Sequence, residues 1–385
     1  MDSDAFLELL TPRGQKALAE AVELTGSDPV KAATRLRRTY DATLTSAALT
    51  QAGLRERARA KFGDDAAIMY FTPHGLEQST RLEVAAHRAE RLAGLRVVDA
   101  CCGIGGDALA LARAGCEVVA VELDPLTAAV ARANADALGI GDRVTVRVGD
   151  AAEVTPEDFE ALFADPARRT SKGRTFDPQS YSPPWPVVVE LVERARRSCL
   201  KVAPGIPYEY IPAAAEAEWV SYKGEVKEAA LWTPGPGGRR ATLLPGGESL
   251  TPTGVVAETG PLGRFVWEPD GAAIRAHLVG EVAAMVGGRL LDPMIAYITG
   301  DDDVRTPWAH RYEVHEVMPF SLKRLRAALR SHQIGNVTIK KRGSAVDIEK
   351  LRRDLRLSGD KSAVIILARI MNQPFVLISL GLPPA

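Results

Sequence analysis

Apolar positions along the chain change their period twice. Over residues 1–75 they recur three and four apart. Phe6-Leu7-Glu8-Leu9-Leu10 starts one helix, and the stripe continues through Gly14–Leu24. At Ser27-Asp28-Pro29-Val30 the pattern stops and restarts, with Asp28 placed to cap a new helix and Pro29 in its first position. No alternating β pattern interrupts this stretch, which predicts a small helical domain.

From residue 76 to 255 short apolar runs alternate with helical spacing. Strands are predicted at Leu95–Ala100, Glu117–Val121, Arg143–Val148, Glu160–Ala164 and Cys199–Ala203. Ala108–Ala114 and Val187–Arg197 read as helices between them. Then the rhythm changes. Glu218–Trp232 and Arg239–Leu244 read as two strands joined by Pro234-Gly-Pro-Gly-Gly238, a hairpin signal rather than a helical crossover. The expected class is α/β, a parallel sheet finished by an antiparallel pair.

Gly246-Gly247 and Pro252-Thr253-Gly254 mark a boundary, and residues 265–385 read as a third, α+β domain. Helical spacing covers Gly271–Val286, Leu322–His332 and Ile348–Leu355. Strands are expected at Asn336–Lys340, Ser362–Arg369 and Pro374–Ser379.

Composition narrows the class. The 385 residues suit two or three domains, and a hydrophobic share of 46% is enough for real cores. The net charge of −1 excludes a general polycation, so attraction to nucleic acid has to come from local patches. No stretch approaches the roughly 18–20 apolar residues that cross a bilayer. The acidic Met1-Asp-Ser-Asp-Ala-Phe start lacks a signal-peptide layout, and a cytoplasmic protein is expected. The cysteines at 101, 102, 116 and 199 form no C-x-x-C pair and no zinc-ligand spacing with histidine, so neither a disulfide framework nor a metal is expected.

The candidate chemistry begins at Asp99-Ala-Cys-Cys-Gly-Ile-Gly-Gly-Asp107. It lies between the first strand and a helix, where a doubly wound sheet grips a nucleotide-type cofactor. Gly103, Gly105 and Ala108 also fit the dinucleotide pattern G-x-G-x-x-A, which by itself is a weak signal. Acids at three successive strand ends shift the balance. Asp99 before the turn repels a pyrophosphate and attracts a cation, such as the ammonium of a methionine moiety. Glu122 ends the second strand, 17 residues after Gly105, where an acid binds ribose hydroxyls. Asp150, after the third strand, can accept from an adenine amino group. S-adenosylmethionine is therefore the expected cofactor, with Cys101 in the same turn as a small residue beside it.

The segments after the fourth strand hold the candidate acceptor chemistry. Asp165-Pro166-Ala167-Arg168 stands at a carboxyl end, where such sheets build their sites. A carboxylate with a backbone carbonyl, stiffened by Pro166, can accept both N–H groups of an exocyclic amine and aim its lone pair for in-line displacement. Ser182-Pro183-Pro184-Trp185 is the second candidate. Ser182 would hydrogen-bond a planar base and Trp185 would stack on it; a proline-rich loop with Trp185 in packing is the plain alternative. Arg168, Arg169 and Lys172 lie between the two and suggest phosphate contacts. In residues 321–361 twelve Lys or Arg stand against four acids, and Lys340, Lys341 and Arg342 are the expected RNA contacts there.

The order of these motifs resembles a known group. Asp99-Ala-Cys-Cys-Gly-Ile-Gly-Gly106 with Ser182-Pro-Pro-Trp185 resembles the trimethylguanosine synthase-like branch of class I RNA methyltransferases. Phe71-Thr-Pro-His-Gly-Leu-Glu-Gln-Ser-Thr80 is similar to the segment before the cofactor site in bacterial members. Gly335-Asn-Val-Thr-Ile-Lys-Lys-Arg-Gly343 with Val346-Asp347 resembles their THUMP-like domain. The resemblance implies a Rossmann-like class I methyltransferase sheet, S-adenosylmethionine as methyl donor, RNA as substrate, and Thr72 and Gln78 as a lid. One departure stands out. In cap-hypermethylating members the Ser-Pro-Pro-Trp element itself follows the fourth strand, whereas here Asp165-Pro-Ala-Arg does. That weighs against guanine N2, and more against a eukaryotic cap, as acceptor.

The expected function is thus N-methylation of an exocyclic amino group of an RNA base. A small-molecule or protein acceptor, or a protein that binds S-adenosylmethionine and RNA without turnover, are the alternatives.

Overall fold

The computed structural model describes residues 2–168, 180–370 and 373–381. The chain divides into two compact units, residues 1–217 with 228–237 and residues 218–227 with 238–385.

The first unit opens with helices α1 (Ser3–Leu10), α2 (Pro12–Glu23), α3 (Pro29–Leu36) and α4 (Ala42–Phe62). Each starts on a side chain that accepts from an otherwise orphaned backbone N–H: Asp2, Thr11, Asp28 and Asp41. Helices α5 (Pro73–Gln78) and α6 (Leu82–Glu90) lead to the sheet. Strand β1 (Arg96–Asp99), helix α7 (Gly106–Arg113), β2 (Glu117–Glu122), α8 (Pro125–Ala137) and β3 (Val144–Val148) then alternate as expected. β4 (Ala161–Ala164) follows. A two-residue pair, β5 (Ala167–Arg168) and β6 (Tyr181–Ser182), precedes α9 (Trp185–Arg194) and β7 (Ser198–Val202).

Strands β3, β2, β1, β4 and β7 lie in that order, all parallel. The order reverses between β1 and β4, a topological switch point whose carboxyl ends form a crevice. The antiparallel neighbour of β7 is residues 229–233 of β9 (Glu225–Thr233), which follows β8 (Glu216–Tyr222). One apolar core runs from Ala5 and Phe6 of α1 through Ala128 and Ala131 of α8 to Trp232.

Two local expectations are corrected. Glu218–Trp232 is not one strand: the chain reverses at Lys223-Gly224, whose φ angles of +50° and +79° are those of a two-residue hairpin turn. Gly271–Val286 is not one helix. It forms α10 (Gly271–Arg275) and α11 (Val279–Met285), parted where His277 takes φ +55°. The break buries Ala276 and Leu278 together, which helical spacing alone does not foresee.

In the second unit β10 (Arg239–Leu244) pairs with β11 (Glu248–Leu250). Strands β12 (Phe265–Pro269), β13 (Arg289–Asp292), β14 (Ile295–Gly300) and β15 (Ala309–Glu313) make an antiparallel sheet that the sequence reading missed. β16 (Glu316–Pro319), α12 (Leu322–Ser331), β17 (Ile334–Lys341), α13 (Ile348–Leu355), β18 (Lys361–Ile370) and β19 (Gln373–Leu380) complete the chain. Strand β18 is covered on both faces, and so it reads as an unbroken apolar run. Val364 and Ile366 pack with Val266 and Tyr297 of the first sheet, while Ile365 and Leu367 pack with Leu325 of α12 and Leu351 of α13. Among the described residues no helix is long and apolar enough to cross a membrane.

Candidate active site

Backbone geometry sets the site. Asp99 ends β1, and the chain then turns through Gly103 and Gly105, at φ +55° and +92°, before α7. Those left-handed angles suit glycine because a Cβ would clash with the following carbonyl. The turn forms one wall of a cavity of about 790 Å³, inside the range of small-molecule sites. Glu122, Asp124, Asp150 and Ala151 line it from the ends of β2 and β3, and Asp165, Pro166 and Ala167 from the end of β4. His74, Gln78 and Ser79 close it from α5.

The segment that carries α5 is firmly held. Buried Gln51 bonds both the N–H and the carbonyl of Phe71, and buried Asn134 does the same for Tyr70. The other amide hydrogen of Asn134 goes to the Ile104 carbonyl in the glycine turn, at 3.0 Å. Lys61 donates to the carbonyls of Leu76, Glu77 and Ser79, neutralising the C-terminal end of α5.

The carboxylates are set by short-range bonds. Glu122 accepts from the N–H groups of Gly103 and Asp124, each at 2.9 Å, and its remaining lone pairs stay available to ligand hydroxyls. Asp150 accepts from Ala152 N–H at 2.9 Å. Asp99 is fully buried under the turn. Its Oδ1 accepts from Cys101 N–H at 3.3 Å, and its Oδ2 has no partner. Burial, reinforced by the charges of Asp107, Asp165 and Glu122, pushes the Asp99 carboxyl well above the usual range, against the pull of the Cys101 N–H. Burial, with the charges of Asp99 and Glu122, pushes the Cys101 and Cys102 thiols up as well, so neither is an activated thiolate.

An unsatisfied buried carboxylate beneath a ring of acids calls for a cationic ligand bearing hydrogen-bond donors. A sulfonium that also carries an ammonium and a ribose fits that donor-poor, acid-rich set. Asp99 would hold its ammonium side, Glu122 its ribose and Asp150 its adenine.

Of the expected residues, Cys101, Gly103, Glu122, Asp150, Gln78, Asp165, Pro166 and Ser182 line the cavity. Asp99 lies beneath it, and Gly105 shapes the turn without lining it. Thr72 is turned to another task, accepting from Gly75 N–H as the cap of α5. Trp185 packs edge-on between Tyr181 and Tyr210, with ring centres 5.8 and 5.7 Å away, and is not a lining residue. The side chain of Arg168, and all of Arg169 and Lys172, lie outside the described residues.

The sequence presented Asp165-Pro166 and Ser182-Pro183-Pro184 as rivals. The β5–β6 pairing makes them neighbours: Ala167 is in register with Ser182 and Arg168 with Tyr181, and both elements line the one cavity.

Sequence reasoning missed a buried polar chain behind Asp165. Lys201 of β7 makes an ion pair with Asp165 and donates to Thr80 at 2.8 Å. Thr80 donates to Asp107 at 3.0 Å, and Arg88 bridges Asp107 and Glu228. Burial alone would raise the Asp107 carboxyl, but the charges of Arg88 and Lys201, with the bonds from Thr80 and Arg88, hold it below its usual value. A lysine within an otherwise apolar strand, Ser198-Cys-Leu-Lys-Val202, was the available signal.

In the second unit, Lys340 and Arg342 are ion-paired to Glu268 of β12, at 2.9 and 3.3 Å. Lys341 donates to the Val346 carbonyl at 3.0 Å.

Fold and site together define a class I α/β enzyme site for a cationic nucleoside. Residues 95–188 match the family described as RNA cap guanine-N2 methyltransferase, residues 309–379 the THUMP domain-like family, and residues 2–58 a domain family of unknown function. An S-adenosylmethionine-dependent methyltransferase of Mycobacterium tuberculosis is 37% identical over 82% of this chain and 90% of its own length. A crystal structure described as a methyltransferase from Porphyromonas gingivalis W83 covers 95% of this chain and 98% of its own, with a TM-score of 0.75 at 22% identity. Over shorter stretches, an RNA methyltransferase of Parasynechococcus marenigrum is 40% identical across 23% of this chain and 20% of its own. Ribosomal RNA small subunit methyltransferase J of Hahella chejuensis is 30% identical across 26% of this chain and 41% of its own. The chain belongs to the S-adenosylmethionine-dependent methyltransferases, and its residues 309–379 match the THUMP domain-like family.

Proposed function

We propose that this enzyme N-methylates an exocyclic amino group of an RNA base. The observation that carries the reading is the convergence of Asp165-Pro166 and Ser182-Pro183-Pro184 on one cavity beside the acid-lined turn. Bound at that turn, S-adenosylmethionine supplies an electrophilic methyl group on a sulfonium.

The residues of the chain supply orientation. Asp165 and the carbonyl beside Pro166 accept the two N–H groups of the amine, which turns its lone pair toward the methyl. Ser182 contacts the base edge, and the prolines exclude water. Asp165 then accepts a proton from the methylated nitrogen as the positive charge leaves it.

RNA as the acceptor class draws support from the family match over residues 95–188, from the RNA methyltransferase relatives, and from the exposed cations of α12 and α13. A small-molecule or protein acceptor takes its support from the pairing of Lys340 and Arg342 with Glu268, which removes two cations from the expected RNA surface. Tritiated methyl transfer to total RNA, to protein extract and to metabolites separates the readings. Label in an N-methylated base is the expected result, and label confined to protein or metabolites overturns it.

A further inference from the structure

Lys201 occupies an expensive position. It is 5% exposed on the parallel strand next to β4, where an apolar residue would pack without any charge to desolvate. Ala164 of β4 is in register with Leu200 of β7, so the next residues, Asp165 just past β4 and Lys201 within β7, stand side by side. The Lys201 ammonium is tied at two points, to Asp165 Oδ2 and to Thr80 Oγ1. Thr80 is itself fixed by its bond to Asp107. The ammonium is a donor only, so it is no base for the amine.

The two oxygens of Asp165 are therefore unequal. Oδ2 is anchored, whereas Oδ1 makes no hydrogen bond among the described residues, and Asp165 lines the cavity. That is the geometry of a carboxylate with one oxygen reserved for a ligand N–H. Asp99 and Asp165 are close enough for the charge of Asp165 to be felt at Asp99. Without the ammonium, Asp165 Oδ2 loses its anchor and the side chain can take a rotamer turned out of the site.

We propose that Lys201 is a positioning residue for methyl transfer, holding Asp165 Oδ2 against Thr80 so that Oδ1 faces the acceptor amine. The proposal rests on the reading of Asp165 as the amine contact. It adds that the cofactor wall ending at Thr80 and the acceptor carboxylate are joined through one buried ammonium.

The test uses the full chain, tritiated S-adenosylmethionine and total RNA. K201M lowers kcat about 100-fold, the scale of a small misplacement in a reacting pair, with KM for RNA and calorimetric affinity for S-adenosylmethionine unchanged. K201R restores most of the loss. T80V, which frees only the far end of the ammonium, costs less than K201M. In a D165N background K201M adds no further loss, because its effect passes through Asp165. An equal loss in both backgrounds, or an unchanged kcat in K201M, overturns the proposal. If the wild-type chain methylates no RNA, the acceptor reading fails, and Lys201 is then judged from crystals grown with S-adenosylhomocysteine. An Asp165 carboxylate turned away in K201M but not in K201R supports the positioning role. An unmoved carboxylate in K201M overturns it.

Discussion

The mouth of the cavity in the first unit and the basic stretch of the second carry opposite charges, and they handle them in opposite ways. Around the cavity, Glu122, Asp150 and Asp165 stand at three strand ends, with Asp99 buried beneath the turn at a fourth. Asp99 keeps a buried oxygen without a partner, and Asp165 keeps one that makes no hydrogen bond among the described residues. In the second unit several cations already have partners: Lys340 and Arg342 pair with Glu268, and Arg352 and Arg326 donate to the backbone carbonyls of Val337 and Asp354. The cations left open lie elsewhere. Lys323, Arg324, Arg330, Lys350, Arg356 and Lys361 are exposed, and their side chains make no hydrogen bond or ion pair among the described residues. A ligand is drawn to charge that the fold leaves unpaired, not to charge that is merely abundant in the sequence.

The largest effect that sharpens this contrast is expected at Asp165. D165A lowers kcat by about 10²–10⁴-fold and leaves S-adenosylmethionine affinity intact, as read by tritium transfer and calorimetry. Full activity in D165A would remove the carboxylate from the acceptor side.

Next comes Arg88, a buried cation behind the cavity that bridges two acids. R88M strands Asp107 and Glu228 in the interior and costs about 3–5 kcal/mol in urea unfolding. A near-neutral result would mean that these acids find other partners.

Asp99 comes third. D99N weakens S-adenosylmethionine binding by about 10–100-fold, the scale of a hydrogen bond to a charged group. Its folded-state carboxyl is raised, so the folded chain holds the proton more tightly than the unfolded chain does. The stability this confers is full below the ordinary carboxylate range and is lost as pH rises toward the raised value. Over that interval the ligand-free wild type loses stability relative to D99N, while its S-adenosylmethionine affinity rises. Parallel pH profiles for the two proteins would contradict the assignment.

The smallest effects are expected in the second unit. Changing Arg324, Arg330 and Lys350 to alanine lowers the slope of log affinity for RNA against log salt by about 0.7–0.9 per lost phosphate contact. K340M, by contrast, costs ~1 kcal/mol of stability and moves the slope little. The reverse ranking would restore the strand cations as the RNA surface.

The five parallel strands of the first unit were legible to within a residue or two because each is a short apolar run at a regular interval. Asp99, Glu122 and Asp150 were legible for the same reason, since the end of a strand fixes where its next side chain stands. Trp185 was not, because an aromatic beside two prolines suits a stacking wall and a helix's first buried turn equally well. Lys201 and Thr80 were invisible as a pair, being 121 residues apart in the chain, with Thr80 on the segment between α5 and α6 and Lys201 on β7. Strands β12–β16 escaped because their apolar residues are interleaved with charges such as Arg311 and Glu268, the latter paired with Lys340 from a distant segment.

By itself the sequence determined the alternation of strands and helices, the left-handed glycine turn and the acids at the strand ends. All of these depend on local backbone preference and on a period that a few neighbouring residues carry. The tertiary structure alone decided which charges remain open. It placed Asp165 beside Ser182 through a two-residue pairing, anchored one oxygen of Asp165 on Lys201, and gave Lys340 and Arg342 to Glu268. Ion pairs and cavities depend on which distant segments meet, and pairing between strands sets that.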